Sequence, residues 1–183
     1  MAGSFKYKTN WCVITGAPSS GKTSVINALA KRGFAVQDEV ARELIELGIK
    51  HGKSLEEIRK NAEALQKGIL EVALAREIAL DLDQTVFLDR GLPDSITYFK
   101  VAGLDGFEAN TVSLLFKYRA VFIFDRLPIV KDTVRTEDDA LADKIDRMLE
   151  EDYRSVGYEP IRVPVLPVGE RADFVLSHID SVK

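Results

Sequence analysis

The run Gly16-Ala-Pro-Ser-Ser-Gly21-Lys22-Thr23 restricts this chain more than any other stretch of it. Before it, Trp11–Thr15 is short and apolar; after it, Val25 and Leu29 fall at helical spacing. A strand, a small flexible loop and a helix in that order carry the full Walker A pattern. Its physical demand is specific. Successive backbone N–H groups must turn inward around a phosphate, which requires glycine at backbone angles that other residues resist. The helix then offers its positive N-terminal end to the anion. Gly16, Ala17, Pro18, Ser19, Ser20, Gly21, Lys22, Thr23 and Ser24 are therefore the expected nucleotide-binding loop. Lys22 is expected to reach the β- and γ-phosphate oxygens, and the Thr23 hydroxyl to ligate Mg²⁺.

Four further apolar runs read as strands: Phe34–Val36, Thr85–Leu88, Ala120–Phe124 and Ile161–Leu166. Helical spacing fills the intervals, over residues 20–31, 39–47, 94–102, 107–118, 137–155 and 170–179. The longest helical stretch starts at a capping box, Ser54 with Glu57, and carries apolar residues from Ile58 to Leu82 in a stripe read as core packing. Buried strands alternating with helices predict an α/β fold: a P-loop NTPase three-layer sandwich on a five-stranded parallel sheet. The expected strand order is the kinase-like 2-3-1-4-5. With no repeat or linker in view, residues 1–183 are expected to form a single nucleotide-binding domain.

Composition removes several function classes. A formal net charge of −4 and a pI near 5.3 disfavour a nucleic acid partner, including the basic strand-tracking groove of a polynucleotide kinase. Cys12, the only cysteine, can form no intrachain disulfide, and its strand position suggests a buried small hydrophobe. No apolar run approaches the roughly 20 residues of a membrane span, and the N-terminus does not read as a signal peptide, so a cytoplasmic setting is expected. A guanine-reading Asn/Thr-Lys-x-Asp motif and a transporter-type signature are missing, and the length leaves little room for an AAA+ lid. Compact small-molecule kinases remain, with ATP and Mg²⁺ as the expected cofactors. Oligomeric state is not readable from these residues.

Chemistry beyond the loop is expected at the carboxyl ends of the strands, where open parallel sheets bind ligands. Asp89 and Arg90 end the third strand: Asp89 to hold Mg²⁺ directly or through water, Arg90 to grip a substrate phosphate or orient the acceptor. Asp125 and Arg126, after the fourth strand, form a rival pair, set second because the third strand should lie beside the loop strand. Asp38 or Glu39, after the second strand, would position an acceptor hydroxyl and take its proton, with Arg42 one turn on. The segment from Asp125 to Asp139 carries Arg126, Lys131 and Arg135; Arg135 is assigned to closure over the transferring phosphoryl group and Arg126 to the flank of the adenine. Backbone groups near Val168–Arg171 could border the base.

The Walker A run, "DEVAR", "FLDRGLPDSITYFKVAGL" and "YRSVGYEPIRVPVLPVGERADFVL" together resemble the AAA-domain P-loop ATPase/kinase family, grouped with the nicotinamide riboside kinase domain of NAD-metabolism regulators. The likeness spans nearly the whole chain. It implies a carboxylate at Glu39 and an Asp-Arg pair at Asp89 and Arg90 around the acceptor. The chain departs from the family after the fourth strand, where it has "DRLPIVKDT". The expected function is Mg-ATP-dependent phosphorylation of a small hydroxyl-bearing metabolite of nucleoside or ribosyl type; the alternative is a nucleotide-dependent regulatory ATPase.

Overall fold

The computed structural model describes residues 4–127 and 136–181. Its first half runs Tyr7–Lys8 (β1), Cys12–Thr15 (β2), Lys22–Lys31 (α1), Ala35–Gln37 (β3), Val40–Lys50 (α2), Leu55–Lys60 (α3) and Ala62–Ala79 (α4). The second half runs Val86–Asp89 (β4), Asp94–Val101 (α5), Phe107–Val112 (α6), Phe116–Lys117 (β5), Ala120–Phe124 (β6), Thr136–Ser155 (α7), Ile161–Val163 (β7) and Val168–Ser181 (α8).

Five strands form one parallel sheet in the order β3-β4-β2-β6-β7. Numbered by their appearance in the chain, these are 2-3-1-4-5, the expected kinase-like arrangement. Every residue of β2, β4 and β6 is buried, as strands covered on both faces must be. The period-two alternation sorts them onto two cores. Val13, Leu88 and Val121 pack with Leu70 of α4, Phe99 of α5 and Tyr153 of α7. Cys12, Ile14, Phe87 and Phe122 pack with Ile26 of α1 and Val175 of α8. Helices thus shield both faces of the sheet, and the residues at its carboxyl edge are left to face a cleft. No helix among the described residues is long and apolar enough to cross a membrane.

Two local expectations are corrected. The stretch from Ser54 is two helices rather than one. The capping box is real, with Ser54 Oγ accepting from Glu57 N and Glu57 accepting from Ser54 N. Asn61 then leaves helical geometry, at φ −98° and ψ 60°, and its side chain accepts from Ala64 N to start α4. A short amide that can bond the nearby backbone competes with the helix and wins at this point. Residues 107–118 are likewise not one helix: α6 stops at Val112, and Phe116 joins a small parallel sheet with Tyr7. Phe116 lies 4.9 Å from the Trp11 ring and 5.9 Å from that of Tyr7, so aromatic packing overrides the helical spacing.

Candidate functional site

The loop after β2 has the conformation its glycines imply. Gly16 sits at φ 145° and Gly21 at φ 78°, and Ser19 also takes a left-handed φ of 64°. A Cβ at Gly16 would lie 2.8 Å from the Phe124 carbonyl oxygen, too close for any side chain. Gly21 leads directly into α1. Lys22 is 7% exposed, and its ammonium donates to Gly16 O at 2.8 Å, Ala17 O at 3.2 Å and Ser20 Oγ at 3.3 Å. Burial, and secondly the Arg90 charge, pull its pKa down to about 8, against the opposing pull of Asp89, Glu39 and Asp94. Thr23 is half-buried beside it, and Pro18, Ser19 and Ser24 are exposed.

β4 pairs with β2 so that Asp89 stands opposite Ile14, at the carboxyl end of the strand next to the loop strand. Asp89 is 6% exposed, and its Oδ1 is buried with no hydrogen-bond partner. Burial pushes its pKa up to about 6, although Lys22 works against the rise. Arg90 follows at φ 76°, a conformation that costs a non-glycine residue roughly 1–3 kcal/mol. Its backbone N–H bonds Ile14 O at 3.1 Å, and its guanidinium is fixed from three sides. Nε donates to Glu39 Oε1 at 2.6 Å; Nη1 donates to Tyr98 Oη at 2.8 Å and to Asp94 Oδ1 at 3.2 Å.

Asp94 is the knot that holds this corner together. It accepts from Thr15 Oγ1 at 2.5 Å, from Tyr153 Oη at 2.6 Å and from the Gly91 N–H at 3.0 Å. β2, the turn after β4, and α7 are thereby tied to one carboxylate. A second buried carboxyl supports the same turn. Glu77 accepts from Tyr118 Oη at 2.8 Å, and Tyr118 Oη accepts from the Leu92 N–H at 3.0 Å. Burial raises the Glu77 pKa to about 8, so it is largely protonated at neutral pH. Glu39 is different. It is the residue before α2, yet its side chain makes no capping bond and turns instead to Arg90. Burial is the largest influence and pushes its pKa up, but the Arg90 charge and hydrogen bond, with the charges of Lys22 and Arg42, together outweigh it and leave Glu39 below the ordinary carboxylate range.

Glu39, Asp89, Arg90 and Asp94 border a cavity of about 200 Å³, with Ser95 and Tyr98 beside them. Its other wall is largely apolar, with Val40 and Ile45 of α2 and Leu65, Ile69 and Ala73 of α4, and Gln66 of α4 adds an amide to it. Part of the stripe read as core packing therefore lines a hole. The cavity shares Asp89 with the surroundings of Lys22, so a ligand there would meet whatever the loop holds.

A family model described as an AAA domain matches residues 11–171. The chain belongs to this AAA domain family. The AAA domain is also similar in fold to solved P-loop kinases. A deoxyadenosine kinase from M. mycoides, with products dCMP and a flexible dCDP bound, is 18% identical over 94% of this chain and 100% of that one, with a TM-score of 0.63. The NadR protein in complex with NR is 15% identical over 95% of this chain, which spans 51% of that protein, at a TM-score of 0.66. Thymidylate kinase from Ehrlichia chaffeensis is 12% identical over 97% and 99% of the two chains, also at 0.66. At such identities the likeness is one of fold. A comparison with curated protein sequences gives no significant match.

Within this AAA domain the expected site residues separate. Lys22, Glu39, Asp89 and Arg90 come together, whereas Asp38 is exposed and does not line the cavity. The rival pair disperses. Asp125 accepts from Arg162 at 2.5 Å, a salt bridge at the strand end. Arg126, assigned to the adenine, pairs with Asp139 at 3.2 Å and with Asp143. Lys131 and Arg135 lie outside the described residues. Three participants escaped the sequence reading: Asp94 as the central acceptor, Glu77, and Arg171, whose side chain rather than backbone reaches the loop at Ser20 O. The spacing of Asp89, Arg90, Gly91 and Asp94 within the quoted "FLDRGLPDS" was a signal for the first and the turn near Val168–Arg171 for the third, while Glu77 had none.

Proposed function

We propose that this AAA domain is a Mg²⁺-ATP-dependent phosphotransferase acting on a small hydroxyl-bearing metabolite of nucleoside or ribosyl type. The observation that carries the proposal is the cavity beside the phosphate loop, whose polar end is formed by Glu39, Asp89 and Arg90. Its volume falls below the roughly 300–1,000 Å³ of pockets for drug-sized ligands, which suits a small metabolite.

Lys22 would exchange its bonds to the loop carbonyls for the β- and γ-phosphate oxygens of ATP, as the family pattern implies. The acceptor hydroxyl would bond Glu39, which Arg90 keeps ionised and aimed. Arg90 engages only Oε1 among the described residues, leaving Oε2 for the hydroxyl. The acceptor oxygen then bonds to the γ-phosphorus, the bond from that phosphorus to the β–γ bridging oxygen breaks, and ADP leaves. The acceptor proton passes to Glu39. Asp89 and Thr23 fit a magnesium ion: the Asp89 Oδ1 is a buried acceptor with no partner, beside a hydroxyl-bearing loop. Bound there, Mg²⁺ would neutralise charge on the phosphates. No group of three His, Cys, Asp or Glu side chains among the described residues makes a metal site alone, which suits an ion shared with substrate phosphates.

The test is product formation. The protein is incubated with Mg-ATP and a panel of nucleosides and ribosyl compounds, and phosphorylated products are sought by mass spectrometry. One specific phosphorylated product is expected. ATP binding or hydrolysis without any such product would favour the regulatory ATPase instead.

A further inference from the structure

Resting on that reading, we infer that Ser95 is a specificity-determining residue, whose hydroxyl bonds a polar atom on the body of the acceptor, apart from the hydroxyl that is phosphorylated. Most polar side chains around the cavity are already engaged. Arg90 gives its N–H groups to Glu39, Asp94 and Tyr98. Asp94 takes two donors on each oxygen: Thr15 and Arg90 on Oδ1, the Gly91 N–H and Tyr153 on Oδ2. Asp89 is read as a magnesium ligand and Glu39 as the partner of the reacting hydroxyl. Two further side chains line the cavity, Gln66 and Ser95, and neither hydrogen-bonds to any of the described residues. They differ in burial. Gln66 is half-buried on α4, where water can serve its amide. Ser95 is 6% exposed in the first turn of α5, and its N–H, but not its hydroxyl, is satisfied, donating to Leu92 O at 3.0 Å.

A buried hydroxyl without a partner costs stability, and alanine would fill the same helical position with better propensity and no polar atom. The Ser95 hydroxyl is therefore half of a contact whose other half arrives with a ligand. It is not a nucleophile, because no described side chain bonds its Oγ to act as the base that role requires. A neutral hydroxyl donates one hydrogen bond and accepts others, which fits a neutral partner: a second hydroxyl on a sugar, or a nitrogen or oxygen at the edge of a base. Tyr98 stands one turn on along α5, lines the same cavity and holds Arg90, so α5 fixes Ser95 relative to the Arg90–Glu39 pair. An acceptor held only at its reacting hydroxyl is free to pivot. A second contact at Ser95 stops the pivot and keeps that hydroxyl in line with the phosphorus it attacks. The same contact rejects an analogue lacking the polar atom, since the buried serine is then left unpaired.

The test compares the full chain with its Ser95→Ala variant in steady-state phosphoryl transfer from Mg-ATP and in thermal melting without ligand. The acceptors are adenosine, cytidine, guanosine and uridine, their 2′-deoxy and 3′-deoxy forms, and three ribosides with a polar base group removed: purine riboside, inosine and zebularine. The best acceptor of the parent is expected to lose about tenfold in kcat/KM in the variant, with the KM for ATP unchanged. At least one deletion analogue should be penalised in the parent and not in the variant, the non-additivity of a direct contact. A sugar analogue assigns the contact to a second hydroxyl, a base analogue to the ring edge. The unliganded variant should melt at the temperature of the parent or above it, because an unpaired buried hydroxyl has gone. An unchanged kcat/KM in the variant overturns the inference. So does a loss confined to the KM for ATP, a lowered melting temperature, or equal penalties for every analogue in both proteins. Absence of transfer from the parent to every acceptor removes the phosphotransferase reading as well, so the two failures are told apart.

Discussion

Arg171 Nη1 donates to the Ser20 carbonyl oxygen at 2.8 Å, joining residues 151 positions apart. Carbonyl and N–H groups of a trans peptide point in opposite directions. Holding the Ser20 carbonyl on the Arg171 side therefore turns the Gly21 N–H away from it, as an anion cradle requires. Arg171 is itself 3% exposed, with its guanidinium 5.6 Å from the Phe124 ring centre. A hydrogen bond from a charged donor is worth about 1.5–3 kcal/mol. Arg171→Leu should raise the KM for ATP roughly 10- to 100-fold with a smaller change in kcat, the pattern for binding lost equally in ground and transition states. Arg171→Lys should recover part of it. A kcat loss with unchanged KM would contradict the bracing role.

Lys22→Ala removes the one cation buried in the loop. Phosphoryl transfer in the proposed enzyme should fall by ~10²-fold or more, as for other donors aimed at transition-state charge. Circular dichroism should report an intact fold. Near-normal turnover would dismantle the site.

The two perturbed groups beside the loop set a pH window. Asp89 gains its charge as pH rises through about 6, and Lys22 loses its charge as pH rises above about 8. Activity that needs both charges should give a bell-shaped kcat/KM profile with apparent pKa values near these two, reported for the free enzyme. Asp89→Asn should lower activity and flatten the acid limb while leaving the alkaline one. A steady-state profile from pH 5 to 9.5 decides it.

Glu77 makes stability depend on pH in the opposite sense from an ion-paired carboxylate. Its folded pKa of about 8 lies above the ordinary value of 4.5, so the folded chain holds a proton that the unfolded chain releases. The stabilisation is complete below about pH 4.5 and is lost as pH climbs through 8. Glu77→Gln keeps the shape and cannot ionise. Its Tm should decline less than that of the parent between pH 5 and 9, and equal slopes would refute the buried-proton account.

Strand order and the phosphate loop were legible because each rests on a local pattern. Buried parallel strands read as short apolar runs, and the Gly16–Thr23 spacing has one strong physical use. Position at the ends of adjacent strands pointed to Asp89 and to a carboxylate at Asp38 or Glu39, leaving that choice open; it is the contact with Arg90 that separates Glu39 from the exposed Asp38. What sequence could not give depends on contacts across the fold. Asp94 draws partners from Thr15 and Tyr153, 79 and 59 residues away, and no periodicity marks such a meeting. The break at Asn61 failed for a different reason: apolar spacing continues through it, while one amide side chain ends α3 and starts α4. Two-residue strands such as β1 and β5 are too short to carry any alternation.

Cys12 lies at 0% exposure in the middle strand of the main sheet, and burial holds its thiol up to about 12. An alkylating reagent can therefore reach that sulfur only during excursions that part β2 from its neighbours. The chain thus has its own clock for global opening, read from the speed of thiol labelling. Because β2 runs straight into the phosphate loop, a nucleotide seated there should make that clock run slower.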